Sequence, residues 1–124
     1  LISKLYIMSC LFNSLSYFLD EDSFNCRQKI CDYLENNNII IDGIQTKDIL
    51  LMESTNYIEN MRKTSTWGGA IEIQAACNIW NMSVIVHDIR NSRKDKITFI
   101  PLNSTVNKTI NITWSGGHYE PIKI

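Results

Sequence analysis

Ser83-Val84-Ile85-Val86-His87-Asp88-Ile89 marks the point at which the chain changes period, and that change decides the fold class. The stretch is rich in β-branched residues and reads as a central strand. Asn91 to Lys96 follows as a charged turn, then Ile97 to Ile100 as a second strand closed by Pro101. Leu102 to Lys108 is a polar loop, and two more strands run over Thr109 to Trp114 and Tyr119 to Ile124. Upstream of Ser83 the apolar residues recur at helical spacing. Helices first and strands last is an α+β order, with helices packed around a small, mainly antiparallel central sheet whose last strands suit a meander.

Working back from that strand, Ala70 to Trp80 reads as a helix whose small residues, Ala75 and Ala76, permit close packing on a sheet. Trp67-Gly68-Gly69 breaks the pattern before it. One long helix is expected over Thr46 to Arg62, with Thr46 as its cap and Ile49, Leu50, Tyr57, Ile58 and Met61 facing inward. Another spans Ser23 to Glu35, with an apolar stripe of Phe24, Ile30, Cys31 and Leu34, ended by Asn36-Asn37-Asn38. The first helix opens at Cys10 and runs to Leu19, with Cys10, Leu11, Ser14, Leu15 and Phe18 at helical spacing. Asp20-Glu21-Asp22-Ser23 between them supplies polar residues suited to capping.

The 124 residues fit one domain, 1–124, and 44% hydrophobic content is enough for one core. The first residue is Leu rather than Met, so the chain reads as a piece of a longer protein. Twelve Lys and Arg against thirteen Asp and Glu give a net charge of -1, which offers no field to draw in nucleic acid or an anionic membrane. No run approaches the roughly 20 apolar residues of a membrane span. Leu1 to Leu19 is interrupted by Asn13, Ser14 and Ser16 and lacks a cleavage signature, so it does not read as a signal peptide. Four cysteines (Cys10, Cys26, Cys31, Cys77) without a Cys-x-x-Cys pair, and two histidines, argue against a structural zinc site. No metal or other cofactor is expected, and the thiols read as reduced, in an intracellular, cytoplasmic setting. Sequons at Asn81, Asn103, Asn107 and Asn111 are read as chance occurrences in a chain with 13 Asn.

Three places carry chemistry. Cys10 stands at the mouth of the first helix, where the helix end favours thiolate over thiol, although a small buried hydrophobe is the commoner role for such a residue. Trp114-Ser115-Gly116-Gly117-His118-Tyr119-Glu120 turns tightly on two glycines and delivers a histidine at the start of a strand. Glu120, two residues on, points to the same strand face as His118, as a carboxylate that fixes an imidazole tautomer must. The alternative is a turn with a solvated histidine. Trp67-Gly68-Gly69 can form a narrow slot for an extended peptide or simply start a helix. His87 lies mid-strand and reads as a core or sheet-edge residue.

Together these blocks resemble the ovarian-tumour (OTU) family of papain-like cysteine deubiquitinases. Ser9-Cys10-Leu11-Phe12-Asn13-Ser14-Leu15-Ser16 is similar to its nucleophile motif, Tyr57 to Met61 and Ser65 to Ala76 to its middle block, Val84 to Asp88 to the strand after it, and Trp114 to Tyr119 to its histidine block. The resemblance implies a papain-like OTU fold that hydrolyses the (iso)peptide bond after the C-terminal glycine of ubiquitin or a ubiquitin-like modifier. It assigns Cys10 as nucleophile, His118 as base and acid, and Glu120 as orienter, where Asp or Asn is more usual. It places Trp67, Gly68 and Gly69 along the channel for the modifier's diglycine tail, and Trp114 as a shield for the thiolate–imidazole pair. One departure stands out: the family's Asp-Gly-Asn or Asp-Gly-Asp before the cysteine is replaced by Ile7-Met8-Ser9. That replacement motivates an alternative, a degenerate OTU fold that binds ubiquitin or other domains without hydrolysis.

Overall fold

A computed structural model describes residues 8–37, 39–90, 92, 94–103 and 105–123. Helix α1 (Cys10–Phe18) buries Leu11, Phe12 and Leu15, and α2 (Ser23–Asn36) buries Cys26, Arg27, Ile30, Cys31 and Leu34 along one stripe. Asp22 caps α2, its carboxylate accepting the Asn25 N–H at 2.7 Å. Phe24, expected in the stripe, is 57% exposed, because Cys26 and Arg27 occupy the inward face of that first turn. A short antiparallel ribbon, β1 (Ile39–Ile41) with β2 (Ile44–Gln45), follows.

The single helix expected over 46–62 is two: α3 (Thr46–Glu53) and α4 (Tyr57–Met61). The break has a local cause. Ser54 adopts an extended backbone, and its hydroxyl accepts the Asn56 N–H at 3.1 Å, a bond that competes with helix continuation. Leu50 and Met61 still face the core, while Ile49, Tyr57 and Ile58 are half-buried against it.

Helix α5 (Ala70–Trp80) ends at Asn81, which takes the left-handed conformation and turns the chain into β3 (Met82–Asp88). β4 (Lys96–Phe99), β5 (Lys108–Trp114) and β6 (Tyr119–Pro121) complete a sheet of order β4-β3-β5-β6 among the described residues. The β3–β4 and β5–β6 pairings are antiparallel, so the sheet is mainly antiparallel, but β3 and β5 run parallel, with Val84 opposite Ile110 and Asp88 opposite Trp114. The strands therefore do not form a meander. The loop after Pro101 returns across α5: Leu102 N–H donates to Asn78 Oδ1 at 2.8 Å, and Asn107 N–H to Asn81 O at 2.7 Å. That last bond starts β5 beside the start of β3, and the two strands must then run the same way.

Met82, Val84 and Val86 join Ile110 and Ile112 on the sheet's inner face, under Ile73, Ala76 and Cys77 of α5. Ala75 and Ala76 are fully buried, and their small side chains let the helix approach. No helix among the described residues is long and apolar enough to cross a membrane.

Two substitutions test this packing. A methyl added at Gly68 would stand 2.8 Å from Leu11 Cδ2 and 2.9 Å from the Phe12 ring, whereas one at Gly69 meets nothing within 4 Å. G68A is therefore expected to lose about 1–3 kcal/mol in urea unfolding, and G69A less than about 1 kcal/mol. Thr46, expected to cap α3, is instead its first residue after Gln45, and its buried Oγ1 has no hydrogen-bond partner. T46V should leave stability unchanged or raise it by up to about 1 kcal/mol, and a clear loss would reveal a bonded hydroxyl.

Candidate active site

Cys10 is the first residue of α1, so the N–H groups of its turn have no intrahelical acceptors and present a positive end. Ser9 occupies the cap position without capping: its hydroxyl donates to Thr64 O at 3.3 Å instead. Ser14, one turn on, donates to the Cys10 carbonyl at 2.7 Å and fixes the turn from the other side.

The second half of the site comes from the far end of the chain. Between β5 and β6 the turn is closed by Ser115 N–H to His118 O at 3.0 Å. Gly116 sits at φ +102, and a methyl there would approach Arg90 Cδ to 3.2 Å. Arg90 is held in place by Asp88, at 2.8 Å, and by the Trp114 ring, 4.2 Å below its guanidinium. Glycine at 116 thus follows from both backbone conformation and space, whereas a methyl at Gly117 would meet nothing within 4 Å.

This turn sets His118 on the edge of the sheet, with its Nε2 3.2 Å from Glu120 Oε1. The pair leaves Nδ1 as the ring nitrogen free to serve a reaction. Glu120 is 67% exposed, so the contact is worth little as stability and acts on the ring's orientation. The next residue makes the direct link: Tyr119 N–H points at Cys10 Sγ, 3.4 Å away. Cys10, His118, Tyr119 and Glu120 line one hollow of about 460 Å³ with Asn13, Ser14 and Tyr17.

Cys10 is itself 2% exposed, and the other three thiols lie in the core away from the hollow. Cys26, Cys31 and Cys77 are fully buried, and burial pushes them up to about 12, 11 and 12. They remain neutral core residues at neutral pH.

Of the residues singled out in the sequence, Cys10, His118 and Glu120 come together. Trp67, Gly68 and Gly69 do not line that hollow; they line a second one with Tyr57 and Glu72. The two are neighbours through Gly68, which presses on Leu11 and Phe12. Trp114 pairs with Tyr119 across β5–β6 behind the histidine. His87 is not at the sheet edge: β3 lies between β4 and β5, and His87 Nε2 is 2.8 Å from Asn111 Oδ1 on β5. Asn13, Ser14 and Tyr17 were missed, although their helical spacing from Cys10 places them on its face. Ile7 lies outside the described residues. Among the described residues, no group of three His, Cys, Asp or Glu is arranged to hold a metal.

Residues 9–119, which include Cys10 and His118 and stop one short of Glu120, match the profile of the OTU-like cysteine proteases. A protein named ubiquitin thioesterase OTU1 from Drosophila pseudoobscura pseudoobscura is 26% identical over 115 residues, covering 92% of this chain and 31% of its own length. A Schizosaccharomyces pombe protein named putative ubiquitin thioesterase otu1 is 29% identical over 112 residues, covering 90% of this chain and 32% of its own. The chain thus spans about a third of the length of these relatives. An ovarian-tumour domain solved in complex with ubiquitin superposes at a TM-score of 0.72 with 25% identity, covering 91% of this chain and 62% of that one. An OTU deubiquitinase from Wolbachia pipientis, also bound to ubiquitin, shares the fold at a TM-score of 0.60 and 18% identity, over 94% of this chain and 90% of that one. With the match running over nearly its whole length, the chain belongs to the OTU-like cysteine protease family.

Proposed function

We propose that this chain is the catalytic domain of an intracellular deubiquitinase, a single domain within a larger protein. In this reading it cleaves the (iso)peptide bond after the C-terminal glycine of ubiquitin or a ubiquitin-like modifier. The observation that carries it is the Tyr119 N–H to Cys10 Sγ contact, which joins segments 109 residues apart beside the oriented His118.

The Cys10 thiolate attacks the glycine carbonyl carbon, and the oxygen takes up the electron pair as an oxyanion. N–H groups of the first turn of α1, beginning with Cys10, face that charge. As the tetrahedral intermediate collapses, His118 gives its proton to the leaving lysine amine, and a thioester on Cys10 remains. Water, deprotonated by His118, then attacks the thioester and releases the modifier's carboxylate and the thiolate. Glu120 keeps the imidazole in the tautomer that this cycle needs. Gly68 borders α1 beside Cys10, which supports a role for Trp67, Gly68 and Gly69 in leading the diglycine tail toward the sulfur. Trp114, stacked under Arg90, would shield the thiolate–imidazole pair from water.

The change to Ile7-Met8-Ser9 ahead of the nucleophile favours the second reading, a domain that binds ubiquitin without cleaving it. The two separate on a ubiquitin probe with a C-terminal electrophile. The catalytic reading expects a covalent adduct on Cys10 that C10A abolishes, together with cleavage of ubiquitin conjugates. Ubiquitin affinity without any adduct would favour the binding module. Within the catalytic reading, E120A should lower kcat by about 10- to 100-fold, short of the ~10⁴-fold cost seen on altering a buried triad acid, since Glu120 competes with water. An E120A rate equal to that of the unmodified chain would remove Glu120 from the mechanism.

A further inference from the structure

Arg27 is 1% exposed, and it sits on α2 rather than in the hollow that holds Cys10. A buried guanidinium is costly unless its donors are satisfied. Here they are spent on the chain around the nucleophile. Nη1 donates to Met61 O and to Thr66 O, each at 2.8 Å. Nη2 donates to Ser9 Oγ at 3.2 Å, and the guanidinium carbon lies 4.1 Å over the Phe12 ring. The Ser9 hydroxyl passes the link on to Thr64 O at 3.3 Å.

One side chain therefore grips the residue before Cys10, the residue two after it, and the 61–66 segment that leads into Trp67-Gly68. Ser9 does not cap α1, so its hydroxyl is free for this bridge. The Ser9–Cys10 peptide carries the N–H that faces the oxyanion in the reading above. A planar fork bonded on two edges resists rotation of that peptide in a way that a point charge cannot. We propose that Arg27 is a positioning residue for Cys10: through Ser9 and Phe12 it fixes the nucleophile's peptide, and through 61–66 it holds the neighbouring loop in register with it. This rests on the catalytic reading.

The test is a cycle of R27K, S9A and the double variant, assayed with a fluorogenic ubiquitin C-terminal amide at a temperature where circular dichroism shows each fully folded. A residue that only stabilises the fold would lower the melting temperature and leave kcat per folded molecule unchanged. Positioning instead predicts that folded R27K loses about 10- to 100-fold in kcat, with KM within about threefold. S9A should lose less, about three- to tenfold in kcat, and the double variant less than the product of the two, because they share one bond. Folded R27K and S9A with unchanged kcat, or losses that multiply independently, would overturn the proposal. If R27K does not fold, S9A decides: a fall in kcat supports the bridge, and an unchanged kcat overturns it. An unmodified chain that neither cleaves nor labels overturns the catalytic reading and this role with it, whereas an active chain with indifferent variants overturns the role alone.

Discussion

The parallel pairing of β3 with β5 is the constraint on which the site depends. Both strands start beside Asn81 and Asn107, which are bonded to each other, and both end where Asp88 faces Trp114. Reversing β5 would move Trp114 to the other end of a seven-residue strand, about 20 Å away. The turn that follows, with His118 and Glu120, would go with it. Strand direction alone brings the turn with His118 and Glu120 to the end of the sheet where the candidate site lies.

Once the strand ends are set, two buried ionisable groups fix the segment between α4 and α5. Arg27 holds the carbonyls of Met61 and Thr66. At the other end Glu72, also buried, accepts Gly69 N–H at 2.7 Å and the Tyr57 hydroxyl at 2.5 Å. Burial raises the Glu72 carboxyl above its ordinary range, opposed by those hydrogen bonds, and burial together with the Glu72 charge raises Tyr57. Such groups are poor sources of stability compared with apolar packing. What they supply is definition: the Trp67-Gly68-Gly69 segment is tied at both ends and pressed against α1 in the middle.

Periodicity made α1, α2, α5, β3 and β5 legible, because each buries a stripe or face, whereas β4 and β6 bury no residue and were marked by the turns and the proline that bound them. It failed where a few polar atoms decide. The break at Ser54 turns on one side-chain bond, and the parallel pairing turns on Asn78 and Asn81 reaching a loop, which no spacing rule encodes. Cys10, His118 and Glu120 were legible because each sits where its backbone element already implies chemistry. Arg27 was not, since a lone Arg on a helix reads as a solvated charge. Its position inside the stripe of Cys26, Ile30, Cys31 and Leu34 was the available signal.

The residues ahead of Cys10 depart from the family's pattern, and the geometry bears on what that departure means. The family's Asp-Gly pair shapes the loop that donates to the oxyanion, and here that pair is absent. Yet the sulfur already has a donor from the opposite strand in Tyr119 N–H, and the Cys10 peptide is tethered through Ser9 to Arg27. These contacts act on different groups. Tyr119 N–H meets the sulfur itself, while the Ser9 bridge bears on the peptide that carries the Cys10 N–H. In the catalytic reading, the loss of the Asp-Gly loop therefore falls on the donors to the tetrahedral intermediate, whereas the contact that seats the sulfur against β6 does not pass through that loop.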